Sequence, residues 1–241
     1  MKRIAMWSGP RNISTAMMRS FENRRDTIVV DEPLYAYYLT TTGLPHPGRA
    51  DVLAAQSSDW REVVTELASA TPGDARVYYQ KHMAHHICGD MSLEWADAFE
   101  HGFLLREPKA MLLSLSKVLG QVTLADTGLA QQQKLLRHLR ANGATPPVLD
   151  SRDVLESPEA ALRVLCHAFG MEFDAAMLAW PAGPRDSDGV WAPHWYASVE
   201  ASTGFAPYTP SSGDLPDELE PLLAQCQTIY DDLYQYRLTI Q

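Results

Sequence analysis

The sequence predicts an α/β domain of three layers, with a central, mostly parallel sheet of about five strands covered by helices on both faces. Three observations carry this. Five short apolar runs recur along the chain, each closing on polar or charged residues; helix-compatible stretches separate them; and no Ser/Gly linker or charge block divides the 241 residues, so residues 1–241 read as one domain.

The first run, Arg3-Ile4-Ala5-Met6-Trp7, stops at Ser8-Gly9-Pro10, and helical spacing begins near Ser14 through Met17, Met18 and Phe21. The second, Thr27-Ile28-Val29-Val30, is β-branched and ends at Asp31-Glu32-Pro33. Residues 40–58 hold turn formers and prolines and read as a long surface excursion before a helix from Trp60 to about Ala68. The third and fourth strands are Arg76 to Lys81 and His101 to Arg106, and the fifth is Pro146 to Asp150. Between the last two lie a helix after Pro108 and a polar helix from about Thr127 to Asn142. After the fifth strand, Ser157-Pro158-Glu159 opens a helix with proline in its first turn, and residues 215–238 carry the spacing of a packing helix. In such sheets ligands bind at the carboxyl ends of the strands.

Composition sets limits. The chain is 46% apolar and 21% charged with a formal charge of −10, which argues against a surface that neutralises nucleic acid or an anionic membrane, so any bound anion must be held locally. The apolar part of the N-terminus is too short for a signal-peptide core and no stretch is long enough to span a bilayer, so a cytoplasmic protein is expected. Cys88, Cys166 and Cys226 lack paired spacing and read as reduced thiols.

Ser8-Gly9-Pro10-Arg11-Asn12-Ile13-Ser14-Thr15 lies where a strand passes into a helix. Backbone N–H groups and the positive end of the helix dipole would face one anion there, with Arg11 and the hydroxyls of Ser14 and Thr15 as further donors. The plainer reading is a serine-rich helix cap. The nucleotide-hydrolase pattern GxxxxGK[ST] is missing, since no Gly-Lys pair precedes Ser14. A second candidate is Arg106, closing the fourth strand, with Pro108 in the next helix and Ser114 further along it; together they can grip a second phosphate. Here the plainer reading is an arginine paired with Glu107 and an exposed serine.

Together the two elements resemble the two signatures of the sulfotransferases that use 3'-phosphoadenosine-5'-phosphosulfate (PAPS). Pro10-Arg11-Asn12-Ile13-Ser14-Thr15 is similar to the loop P-[KR]-S-G-T-T, and Arg106-Glu107-Pro108 with Ser114 is similar to R-[DE]-P followed by serine. Val148 to Val154 with Pro158, Leu165 and Phe169-Gly170 resembles the family's YEDL…P…FLG segment, and Arg185 with Gly189-Val190-Trp191 resembles its Arg-Lys-Gly cofactor loop. SGPRNIST, DEPLYAYYL, KHMAHH and GVWAPHWY are similar to small bacterial and plant members sometimes labelled branched-chain aminotransferase-like. Two departures stand out: Ile13 occupies a glycine position, which disfavours positive φ, and Arg11 replaces a lysine.

The resemblance implies a P-loop NTPase-like fold and transfer of a sulfuryl group from PAPS to a hydroxyl or amine of a small-molecule acceptor, releasing adenosine 3',5'-bisphosphate (PAP), with no metal required. It implies that Arg11 stabilises the leaving oxygens, that Gly9 and Asn12 to Thr15 hold the 5'-phosphate, and that Arg106, Ser114 and Arg185 hold the 3'-phosphate. Trp191 either covers the adenine or packs in the core. Two places compete for the base: the run Lys81-His82-Met83-Ala84-His85-His86, where a neutral imidazole can accept a proton, and Glu32. The order is His82, Glu32, then His85 or His86, with Lys81 on the sulfuryl oxygens. Three histidines so close also suggest metal, but no carboxylate or cysteine spacing completes a site. Tyr35, Tyr37, Tyr38, Trp191, His194, Trp195 and Tyr196 would line an acceptor pocket or pack as core. Two other functions remain open: a binding module for PAP or a nucleotide that has lost transfer, for which Ile13 speaks, and a kinase, which would use Asp31 or Asp150 to hold magnesium.

Overall fold

A computed structural model describes residues 1–69 and 73–240. Five strands, β1 (Lys2–Ser8), β2 (Thr27–Asp31), β3 (Val77–Met83), β4 (Glu100–Leu105) and β5 (Val148–Asp150), form one sheet in the order β2-β3-β1-β4-β5. Every pairing is parallel. The sequence expectation of an α/β fold with about five mostly parallel strands holds.

Side chains on successive strand residues point to opposite faces. Along β1, Ile4 and Met6 enter one cluster and Ala5 and Trp7 the other, all at most 1% exposed. The first face is covered by α1 (Ser14–Glu22), through Met17, Met18 and Phe21, and by α9 (Pro158–Ala168), through Leu162 and Leu165. The second is covered by α4 (Trp60–Ser69), α5 (Pro108–Leu115), α7 (Leu129–Ala141) and α12 (Glu220–Tyr234). Burial on both faces explains why the strands read as continuous apolar runs.

Among the short helices that escaped the sequence reading are α2 (Tyr35–Thr42), α3 (Arg49–Ala55) and α8 (Ser151–Glu156). The expected excursion over residues 40–58 is therefore partly helical; Val52 of α3 is fully buried in a third cluster with Tyr35, Tyr38 and Leu39 at the β2 edge. Gly43 and Gly48, both with positive φ near 70°, bound the true loop. The remaining helices are α6 (Leu124–Thr127), α10 (Ala192–Trp195) and α11 (Ala197–Glu200). Among the described residues no helix is long and apolar enough to cross a membrane.

Candidate active site

The β1–α1 turn is fixed in place by its neighbours. Asn12 donates from Nδ2 to the Leu104 carbonyl at 2.9 Å and accepts from the Ile13 N–H at 2.8 Å, which ties the turn to β4. Gly9 lies against the Thr127 carbonyl so closely that an added Cβ would overlap it. The left-handed residue of the turn is Arg11, with φ of 57°, while Ile13 has an ordinary φ of −86°. The β-branched residue therefore causes no strain here, and the strain falls on the arginine, a pattern that recurs at functional sites. No side chain caps α1, so the serine-rich turn is not a helix cap and the first-turn amides face outward unpaired by side chains.

Arg11 and Arg106 meet at this end of the sheet. Arg11 Nε donates to Ser114 Oγ at 3.0 Å, joining the two motifs across α5. Glu107 does not neutralise Arg106: its carboxylate accepts from the Lys109 and Ala110 amides and caps α5. Among the described residues Arg106 has neither an ion pair nor a side-chain hydrogen bond. Burial, then the nearby Arg11 charge, hold its pKa below the usual guanidinium range. Two guanidiniums repelling each other without a carboxylate between them, in a chain of net charge −10, make a site that an anion would relieve.

The segment holding Arg185 and Trp191 is anchored elsewhere. Asp188 Oδ2 accepts from Arg19 of α1 at 2.7 Å and from the Arg185 amide at 2.8 Å, and the Gly189 amide donates to Asp31 at 3.2 Å. Asp31 ends β2, three strand spacings or about 14 Å from β4. Trp191 is 2% exposed, donates to the Tyr196 hydroxyl and packs edge-on to Tyr35, which places it in the core at the β2 edge. Arg185 Nη2 is buried without a partner. Its backbone position on the α1 side does not group it with Arg106 and Ser114.

Next to this segment the expected base candidates separate. Lys81 Nζ donates to Asp31 at 2.8 Å, Glu32 at 2.6 Å and Tyr196 at 2.7 Å, which uses all three of its N–H groups. Burial opposes its charge, but the two carboxylates outweigh that and lift its pKa well above the ordinary value. The expected reach of Lys81 to a sulfuryl oxygen has no free donor behind it. His82, placed first as base, lies inside the sheet: its ring stacks on Trp7 at 4.3 Å, Nε2 faces Gln80 at 3.2 Å, and burial pushes its pKa down to about 3. Its side chain belongs to the Trp7 face of the core and not to the strand end.

Glu32 stands at the strand end with a positive φ of 39°. One carboxylate oxygen accepts from Lys81, and the other lies 3.9 Å from His86 Nε2. Burial, with Asp31 adding to it against the opposing pull of Lys81, raises its pKa. His86 is stacked on Tyr35 and Tyr38 with both ring nitrogens unpaired, and burial with the neighbouring His85 drives its pKa well below the ordinary value. His85 meets His86 edge-on, and burial holds its pKa near 3. Asp31 and Asp150 are both engaged: Asp31 by Lys81, Tyr196 and Gly189, Asp150 by the Arg152 amide and the Tyr230 hydroxyl.

A family model described as a sulfotransferase domain matches residues 1–234. The chain belongs to the sulfotransferase family. Two plant relatives from Arabidopsis thaliana, branched-chain-amino-acid aminotransferase-like proteins 1 and 2, are 38% and 34% identical over 84% and 97% of this chain. The chain spans only 36% and 41% of their lengths. Among solved structures, a sulfotransferase from Alicyclobacillus acidocaldarius superposes with a TM-score of 0.58 at 12% identity, covering 99% of this chain and 97% of that one. The sulfotransferase domain from the curacin biosynthetic pathway gives 0.56 at 14% identity, covering 99% of both chains. At these identities the likeness is one of fold.

Several neighbours of the site were not singled out by sequence reasoning. Arg19 was read only as part of a helix and Asp188 not at all, because their pairing joins residues far apart in sequence. Tyr196 was one of an aromatic set, with nothing to mark its hydroxyl as a bridge between Lys81 and Asp31.

Proposed function

We propose that this sulfotransferase takes PAPS as donor and moves its sulfuryl group to a hydroxyl or amine of a small acceptor. The observation that carries the reading is the close pair Arg11 and Arg106, with Arg11 on Ser114 and no ion pair for either among the described residues, at the end of the sheet where an uncapped helix begins. A donor with a 5'-phosphosulfate and a 3'-phosphate supplies an activated sulfuryl group and two anionic ends to match. Gly9, Asn12, Ile13, Ser14 and Thr15 supply the turn and its amides for the 5' end; Arg11 stabilises charge on the leaving oxygen; Arg106 and Ser114 hold the 3'-phosphate. Glu32 takes the acceptor's proton, because its raised pKa makes it the stronger carboxylate base and it sits at the strand end, unlike His82. Lys81 positions Glu32 and Asp31, and Trp191 and Arg185 belong to the segment that closes over them. No metal is called for in these roles. The whole described chain acts as a single such domain.

The test is transfer of labelled sulfuryl from PAPS to a panel of phenols, alcohols and amines, with Mg-ATP as control. Acceptor-dependent PAP release without magnesium is expected. Phosphoryl transfer from Mg-ATP instead would replace this reading with a kinase, and PAP binding with no transfer to any acceptor would leave only a binding module.

A further inference from the structure

A second arginine, Arg152, follows the strand next to the one that Arg106 closes. The β4–β5 register sets Leu105 opposite Asp150, so Arg106 leaves its strand beside Ser151, and Arg152 follows in α8. Adjacent strands are about 4.8 Å apart, which brings both arginine stems to one corner of the sheet. Asp150 builds that corner, accepting from the Arg152 amide at 2.8 Å and from the Tyr230 hydroxyl at 2.7 Å.

The chain after Gly204 crosses here, held upstream by the Ala179–Gly204 bridge and by the Trp180 amide on the Thr203 carbonyl at 3.1 Å. It brings Tyr208, whose ring lies 5.2 Å from the Arg152 guanidinium and whose phenol is close enough to act on the Arg106 charge. The Tyr208 hydroxyl has no hydrogen-bond partner among the described residues. Arg152 is 61% exposed and its other partner is Glu156, one helical turn away at 2.8 Å; an exposed pair of this kind is readily exchanged.

We infer that Tyr208 and Arg152 are specificity-determining side chains for the donor's 3'-phosphate, completing with Arg106 and Ser114 the set for which the sequence offered Arg185. The inference rests on the PAPS reading above. A phosphomonoester has three terminal oxygens and about two charges. Arg106, the Ser114 hydroxyl, the Tyr208 hydroxyl and Arg152 present donors to it from four elements, and stacking on Tyr208 holds the Arg152 fork in plane.

The test is calorimetric titration of the full chain and its Tyr208→Phe, Arg152→Ala and Arg152→Lys variants with PAP and with 5'-AMP, which lacks the 3'-phosphate. Tyr208→Phe and Arg152→Ala should each weaken PAP about ten-fold or more, as expected for hydrogen bonds to a charged group. Their 5'-AMP affinity and thermal midpoint should stay within about two-fold and a degree or two, and Arg152→Lys should recover part of the loss, since lysine keeps the charge without the fork. If the parent prefers PAP to 5'-AMP and both variants keep that preference, the assignment of Tyr208 and Arg152 is overturned while the donor reading stands. Equal losses for the two nucleotides would also overturn it, by showing general electrostatics. A parent that does not prefer PAP would remove both.

Discussion

At the scale of single residues the site is decided by which charges have partners. Arg106 has no ion pair or side-chain hydrogen bond among the described residues, so its replacement by alanine should weaken PAP binding by about ten-fold to a hundred-fold, the range for a hydrogen bond to a charged group, while leaving 5'-AMP nearly unchanged. Equal losses measured by calorimetry would count against a 3'-phosphate at Arg106. For the base, Glu32→Gln should lower turnover by about a hundred-fold or more with PAP affinity retained. His82→Ala should act mainly on stability, since it removes a ring stacked on Trp7 in the core; loss of turnover in a His82 variant of unaltered thermal midpoint would restore the histidine as base. Arg11, Arg106 and Ser114 were legible in the sequence because each belongs to a short local pattern at a strand end. The surroundings of His82 were not legible: strand parity turns its ring to the core, and the strand stops two residues later than the apolar run suggested.

At the scale of elements, two contacts fix the loops around the site. Gly9 is required by the close approach of the α6–α7 corner, so Gly9→Ala should displace that corner and cost about 1–3 kcal/mol, the usual range for overpacking, read from the denaturant midpoint. An unchanged midpoint would mean that the corner is free to retreat. The buried Arg19–Asp188 pair, 1% and 5% exposed, fastens the segment 185–191 to α1. Asp188→Ala would leave the buried Arg19 guanidinium with only the longer Glu22 contact at 3.5 Å, and a loss of about 3 kcal/mol, the lower end for a broken buried pair, is expected. The strands and the long helices were legible from apolar runs and helical spacing. The short helices α2, α3 and α8 were not: α2 and α3 flank Gly and Pro punctuation that reads as loop, and α8 begins directly on the strand-end Asp150.

At the scale of the whole molecule, buried histidines make the fold sensitive to acid. Burial lowers the pKa of His82 and His85 to about 3 and of His101 to about 4. A depressed pKa in the folded state means stability present above the unfolded value of 6.5 and lost as pH falls toward the folded one, at about 1.4 kcal/mol per pH unit for each group. The denaturant midpoint should therefore fall between pH 6.5 and 4, less steeply in a His101→Gln variant; a flat midpoint would show that these rings are solvated. Charge at this scale also frames the function, because a chain of net charge −10 still places Arg11 and Arg106 close together at one end of the sheet. The sequence showed the charge and the motifs, but that they meet through Arg11 and Ser114, 103 residues apart, came only from the fold. The most direct test of that meeting is calorimetric titration of the unmodified protein with PAP, 5'-AMP and ATP. PAP binding at least ten-fold tighter than 5'-AMP, without magnesium, is the expected result, the factor being the order of one charged hydrogen bond. Equal binding of PAP and 5'-AMP, or a preference for Mg-ATP, would contradict it.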